Sequence, residues 1–179
     1  MSVRLETDRL VLRPFTVADV EPFAEINADP QVMRYIGNGG PRTVEQTREG
    51  VERLVLHWDA QGWGTLAVEL KETGELIGFA ALAVPEFLPE ILPAVEVGWR
   101  IARPHWGKGY APEAAREAIR FAFDDLDMER LVSCIHAENA ASMRVAEKLG
   151  MILERVTVVP GFEVPCRVYE IRRRPKDEP

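Results

Sequence analysis

A chain of 179 residues, 46% hydrophobic and 28% charged, is long enough for one packed core and too short for a multidomain machine, so a single domain spanning 1–179 is expected. Its 22 Lys and Arg against 29 Asp and Glu leave a net charge of −7, which argues against a surface built to neutralise nucleic-acid phosphates and suits amine ligands better. Two cysteines outside any CxxC pair, Cys134 and Cys166, exclude a disulfide framework and a cysteine-based zinc site. Met1 to Arg9 carries charges and no apolar run, and no stretch approaches the roughly 18 apolar residues of a membrane span. A cytoplasmic protein without membrane association is therefore expected.

Arg9 to Phe15 alternates weakly up to Pro14 and reads as a first strand. Thr16 and Asp19 cap a helix running to about Asn27, with Val20, Phe23, Ala24 and Ile26 on its apolar face. Tyr35 to Pro41 is rich in glycine and reads as a mobile loop. Thr43 and Gln46 form a second capping box for a helix that Gly62 ends. A hairpin follows, Trp63 to Leu70 and Leu76 to Val84, around a turn at Glu72 to Glu75. Phe87 to Pro93 reads as an irregular surface loop and Ala94 to Ile101 as a strand. From Gly107 the apolar positions Ala111, Ala114, Ala115, Ala118, Ile119, Ala122 and Phe123 form one helical stripe. Arg130 to His136 is a short strand, Asn139 to Leu149 a helix ended by Gly150, and Ile152 to Val159 with Val164 to Arg172 a closing hairpin. This order, βααβββαβαββ, predicts an α/β (α+β) fold with a mixed, mostly antiparallel sheet of about seven strands flanked by about four helices.

The most informative stretch is Val95 to Glu113, where an apolar strand feeds a turn containing Gly107 and Gly109 and then an alanine-rich helix. Small residues allow close backbone approach, and a helix start offers unpaired N–H groups with a partial positive charge, a combination suited to a phosphate or pyrophosphate. It is not a P-loop, because Lys108 is not followed by Ser or Thr, nor a dinucleotide fingerprint, because Pro112 stands at the third glycine position.

Trp106-Gly107-Lys108-Gly109-Tyr110-Ala111 resembles motif A of the GCN5-related N-acetyltransferase (GNAT) superfamily, with Trp106 in place of the leading Gln or Arg. The W-G-x-G-Y-A form, the opening Glu6 to Phe15 and the segment His136 to Met151 are all similar to the RimJ/RimL ribosomal-protein acetyltransferase branch. The resemblance implies the GNAT fold and acetyl-CoA as co-substrate, with no metal. The pyrophosphate would sit on the backbone of Gly107, Lys108, Gly109, Tyr110, Ala111 and Pro112. The strand end Trp99, Arg100 and Ile101 would pair its backbone with the pantetheine arm where that strand splays from the next. Gly98 falls where the family often has a bulge, and an amide near Trp99 would stabilise the thioester oxyanion.

Acetyl transfer needs a neutral amine, whereas an alkylammonium near pKa 10 is mostly protonated at pH 7, so a base is useful. Glu96, a carboxylate in an apolar strand, matches the Glu of the branch's A-E-x-G-Y-W-L pattern and is the candidate base; pairing with a surface arginine is the alternative. Many family members carry a tyrosine seven residues after the asparagine; here that position is Ala146. Ser142 is the candidate replacement acid, and an ordinary helix-start serine is its alternative. Asn139 is a candidate pantetheine contact that equally suits a helix N-cap. Tyr35 and Asn38 are candidates for the acceptor side, with Pro85 to Pro93 as a further loop there. His57, His105 and His136 have no metal-ligand spacing, Cys134 reads as a small buried apolar residue, and Trp58, Trp63 and Trp99 read as packing residues.

The resemblance thus implies acetyl-CoA-dependent transfer to a primary amine, either a protein N-terminus or a small molecule, by direct attack in a ternary complex. A catalytically weak acyl-CoA-binding regulatory module is the alternative. A nucleic-acid partner is not expected, and a homodimer is compatible with the sequence.

Overall fold

A computed structural model of the protein describes residues 3–161 and 163–174. Its strands are β1 (Leu5–Glu6), β2 (Leu10–Pro14), β3 (Leu66–Leu70), β4 (Leu76–Ala83), β5 (Val95–Ile101), β6 (Arg130–His136), β7 (Ile152–Val159) and β8 (Val164–Arg172). The helices are α1 (Val20–Ala28), α2 (Pro30–Met33), α3 (Val44–Gln61), α4 (Tyr110–Arg120) and α5 (Ala140–Lys148). One eight-stranded sheet runs β1-β2-β3-β4-β5-β6-β8-β7, antiparallel everywhere except between β5 and β6. This is the mixed, mostly antiparallel architecture read from the sequence.

The additions to that reading are short elements. β1 has two residues, too few to leave a periodic signature, and α2 is a four-residue helix with Pro30 in its first turn and Asp29 accepting from the Gln31 amide at 2.8 Å. Two boundaries also move. The Trp58 indole donates to the Thr65 carbonyl at 2.7 Å, so Trp63 to Thr65 form a crossing connection and β3 begins at Leu66. The stripe that reads as helix through Phe123 instead widens into a π-turn over Phe121–Asp125. Phe121, Ala122 and Phe123 are all buried there, and three consecutive residues cannot share one face of a regular helix.

One face of the sheet packs α4 and α5 over Val97, Ile101, Leu131 and Ile135. The other packs α1 and α3 over Ala67, Leu76 and Phe79. The Phe87 to Pro93 segment, read as a surface loop, buries Leu88 and Ile91 against Val132, Cys166 and Val168 and so forms a third apolar cluster. β4 and β5 are pinned closely: a Cβ at Gly78 would lie 1.9 Å from the Arg100 carbonyl oxygen.

Two relationships position the site. β5 and β6 pair only at Val95↔Leu131 and Glu96↔Val132, after which β5 stays with β4 and β6 stays with β8, leaving a V-shaped opening. The β4–β5 register runs unbroken through Ala81↔Gly98, so the bulge expected at Gly98 is absent; a Cβ there would meet only the Ala81 Cβ at 3.9 Å.

Candidate active site

Because β5 and β6 are parallel, the helices that follow them, α4 and α5, both begin at the open end of the V. Crevices outside the carboxyl ends of parallel strands are where ligands bind in sheets of this kind. In an antiparallel ladder alternate residues turn their backbone groups to the same neighbour. Ala102 donates to the Ile77 carbonyl at 2.8 Å, so Glu96, Gly98 and Arg100 spend theirs on β4, while Trp99 and Ile101 turn theirs toward the opening. The Ile101 carbonyl is capped by the Trp106 indole at 2.6 Å. Trp106, which departs from the motif's Gln or Arg, thus fixes the turn to the strand end.

At the start of α4, Gly107 and Gly109 have φ of +74° and +83°, conformations that cost an L-residue strain. The amides of Gly107, Lys108, Gly109, Tyr110 and Ala111 donate to no backbone acceptor among the described residues. Pro112 has no N–H and adds nothing to this array. The turn is held from the far end of the sheet. Glu113 accepts from Thr7 Oγ1 at 2.6 Å, the Arg9 amide at 3.1 Å and Arg9 Nε at 2.7 Å, while Arg9 Nη1 donates to the Lys108 carbonyl at 2.9 Å. The same guanidinium lies 4.5 Å above the Tyr110 ring. Burial works to raise the Glu113 carboxyl, but Thr7 and Arg9 outweigh it and hold it below the usual range.

Glu96 sits at the last paired position before the strands part. The residue keeps some surface, but burial of its carboxyl dominates and pushes the pKa up to about 7, against the opposing hydrogen bonds from Cys134. One of these is the Cys134 amide to Oε1 at 3.1 Å. No guanidinium pairs with Glu96 among the described residues, so the arginine alternative is not what the fold builds. Cys134 in turn is hydrogen-bonded to Cys166, and this contact together with burial and the nearby Glu96 carboxylate raises its thiol pKa. A thiol held protonated is a weak nucleophile, which fits the reading of Cys134 as inert, although Cys134 is only half-buried and Cys166 is the buried cysteine.

Asn139 is the N-cap of α5, its Oδ1 accepting from the Ser142 amide at 3.1 Å. Ser142 stands half-buried in the first turn of the helix, with its backbone rather than its hydroxyl engaged by Asn139. Ala146 is fully buried in the core, so no phenol occupies that position. Tyr35 reaches the mouth, its ring 5.0 Å from that of His136 at the end of β6. Asn38 does not: its side chain accepts from the Gly40 amide in its own exposed turn. His57 packs edge-on against Trp63, and His105 contacts Glu75 at 3.0 Å. Among the described residues no cluster of His, Cys, Asp or Glu could hold a metal ion, and no helix is long and apolar enough to cross a membrane.

Three features escaped sequence reasoning. The Arg9–Glu113 clamp joins residues 104 apart. The Cys134–Cys166 contact needs the β6–β8 register, and the Arg100 side chain, on the face of β5 opposite α4, is buried beside Phe23 and Phe79. None has a local signature, although an arginine inside an apolar strand is itself a flag.

A family model described as an acetyltransferase (GNAT) domain matches residues 9–152. The chain is 35% identical over 168 residues to the uncharacterized protein YkkB of Bacillus subtilis, covering 93% of this chain and 94% of that one. It is 32% identical over 181 residues to the FsC-acetyl coenzyme A-N(2)-transacetylase of Aspergillus fumigatus, covering 94% and 76%. Among solved structures, an acetyltransferase from Agrobacterium tumefaciens superposes with a TM-score of 0.80 at 32% identity, covering 96% of this chain and 95% of that one. The ribosomal L7/L12 acetyltransferase RimL shares the fold, with a TM-score of 0.79 at 17% identity over 97% and 96% of the two chains.

Proposed function

On the premise that the chain belongs to the acetyltransferase (GNAT) family, we propose that it is an acetyl-CoA-dependent N-acetyltransferase acting on a primary amine by direct attack in a ternary complex. The observation that carries this reading is the row of five amides, Gly107 to Ala111, without backbone acceptors at the head of α4, beside a strand edge vacated by β6. Oriented N–H donors at a helix start match a pyrophosphate, and a free strand edge matches the amide-bearing arm of a pantetheine, so the residues present fit the group. When bound, acetyl-CoA supplies an activated thioester.

The protein's own residues do the rest. Gly107, Lys108, Gly109, Tyr110 and Ala111 hold the pyrophosphate through their amides, and Trp99 and Ile101 orient the arm. The Trp99 N–H is the donor we assign to the acyl carbonyl oxygen, where preorganised hydrogen bonding does the main electrostatic work of acyl transfer. Glu96, with a pKa of about 7, is poised to take the ammonium proton directly or through water near neutral pH. Ser142, at the start of α5, is assigned to the leaving sulfur, which needs little help because a thiol near pKa 8.5 leaves readily. Tyr35 is assigned to the acceptor side; the self-bonded turn of Asn38 makes it a weaker candidate.

Release of CoA thiol from acetyl-CoA tests this reading, measured over N-terminal peptides and small amines. Release with at least one amine is expected, and its loss in Glu96→Gln with binding retained supports the assigned base. Acetyl-CoA binding with no release from any amine would instead leave the regulatory-module reading.

A further inference from the structure

Glu96, Gly98 and Arg100 alternate along β5 and therefore share one face of the sheet, the face covered by α1 and α3 rather than by α4. Gly98 has no side chain, and a Cβ there would meet only Ala81 Cβ at 3.9 Å, so no side chain of β5 stands between the carboxylate and the guanidinium. The two Cα atoms are separated by roughly 13 Å along an extended strand.

Arg100 is an unusual occupant of such a place. It is 92% buried, by its 8% exposure, and lies over Phe79 at 4.9 Å and Phe23 at 5.7 Å. Its Nη1 donates to Asn27 Oδ1, a neutral acceptor, while Nε is sealed from solvent without any partner. No carboxylate pairs with it among the described residues, and the charge nearest in effect is another cation, Arg42. Burial, with help from Arg42, lowers the Arg100 pKa to about 9, so the group stays cationic at pH 7 but is poorly compensated. Buried charges in proteins are otherwise paired, and an unpaired one costs stability. Asn27 and the two phenyl rings supply no negative charge, which an anionic ligand group would.

We propose that Arg100 binds the anionic end of the acceptor, and that the acceptor is a small amine carrying a carboxylate several bonds from its nitrogen. This rests on the acetyltransferase reading above, which puts the amine at Glu96. The separation along β5 suits an ω-amino acid or a lysine-like skeleton better than a simple α-amino acid. With 8% of its surface exposed, Arg100 offers room for contact with the end of a ligand rather than with the middle of a polypeptide. A guanidinium is matched to this task, since it offers a planar fork of donors to a carboxylate.

The test uses product analogues, so that it does not depend on turnover. With CoA present, 6-acetamidohexanoate, its carboxamide and the shorter acetamidoacetate are titrated into wild type, Arg100→Gln, Arg100→Lys and Arg42→Gln. The long acid should bind about tenfold or more tightly than its carboxamide, as a charged hydrogen-bonding group gives, and acetamidoacetate should bind weakly. Arg100→Gln should bring acid and amide level, and Arg100→Lys should keep part of the difference. If Arg100→Gln does not fold, the discrimination should still shrink in Arg42→Gln, whose side chain is partly exposed. Equal binding of acid and amide to wild type overturns the proposal, as does discrimination that persists in Arg100→Gln. So does preferential turnover of peptides lacking a free carboxylate. Tighter binding of an acetamidoalkyl phosphate than of the long acid overturns the carboxylate assignment. Absence of CoA release with every amine tried is a separate failure, that of the transferase reading, and leaves the binding result readable.

Discussion

The Cys134 amide donates to Glu96 Oε1 at 3.1 Å across the point where β5 and β6 separate. The carboxylate is thereby aimed at the root of the V by a backbone group that no side-chain substitution removes. Burial nonetheless dominates and keeps its pKa at about 7. A base must be ionised to act, so wild-type kcat/KM should rise through pH about 7. Glu96→Gln should remove that inflection and lower kcat by about a hundredfold or more, with the deficit largest on the alkaline side, where wild-type Glu96 is charged. An inflection that survives the substitution would show that another group titrates.

The same shift makes a stability prediction of definite sign. The folded pKa lies above the unfolded value, so between the two the native state binds more protons and stability falls as pH rises. Glu96→Gln, which cannot ionise, should raise Tm relative to wild type above pH 7 and lose that advantage near pH 4. Thermal denaturation at both ends of the range measures it.

Arg13, with Asp19 at 2.8 Å and Glu69 at 2.5 Å, ties β2 to β3 and to the start of α1. Burial works to raise the Asp19 carboxyl, but Arg13 and Thr16 outweigh it and hold it below the usual carboxylate range. The stabilisation is present above the unfolded pKa and lost as pH falls through the folded one. Asp19→Asn should cost about 1–3 kcal/mol at neutral pH, and the gap to wild type should close in acid. Urea denaturation across pH checks both.

Glu113→Ala should release Arg9, Thr7 and the Lys108 carbonyl together, lowering stability by about 1–2 kcal/mol and weakening acetyl-CoA binding several-fold. Glu117→Ala, which loses only the Arg120 pair on the same helix, is the control and should change stability by less than about 0.5 kcal/mol.

Gly78→Ala should destabilise by about 3 kcal/mol or more, because its Cβ meets the Arg100 carbonyl oxygen at 1.9 Å. Gly98→Ala meets only Ala81 Cβ at 3.9 Å and should fold normally. Chemical denaturation of the two variants separates close approach from glycine content.

What the sequence made legible was periodic or capped. The Thr43 and Gln46 box, the Ala114 to Ile119 stripe and the glycine turn before α4 all stand where their spacing put them. Short or aperiodic elements were opaque: β1, α2 and the inward packing of Leu88 and Ile91 leave no repeat to detect. At the site, Glu96 was visible as a charge in an apolar strand. Its backbone donor, the Arg9 clamp and the partnerless, buried Nε of Arg100 depend on register and long-range packing, which a single sequence does not encode locally.

Calorimetric titration of acetyl-CoA into wild type and Gly109→Val tests the central assignment most directly. Gly109 has φ +83°, and a valine there adds roughly 1–2 kcal/mol of backbone strain at the head of α4 while shielding the amides. One acetyl-CoA per chain is expected for wild type, with binding lost or strongly weakened in a Gly109→Val protein that still melts cooperatively. No binding to wild type, or equal affinity in the two proteins, would contradict the placement of the pyrophosphate on Gly107 to Ala111.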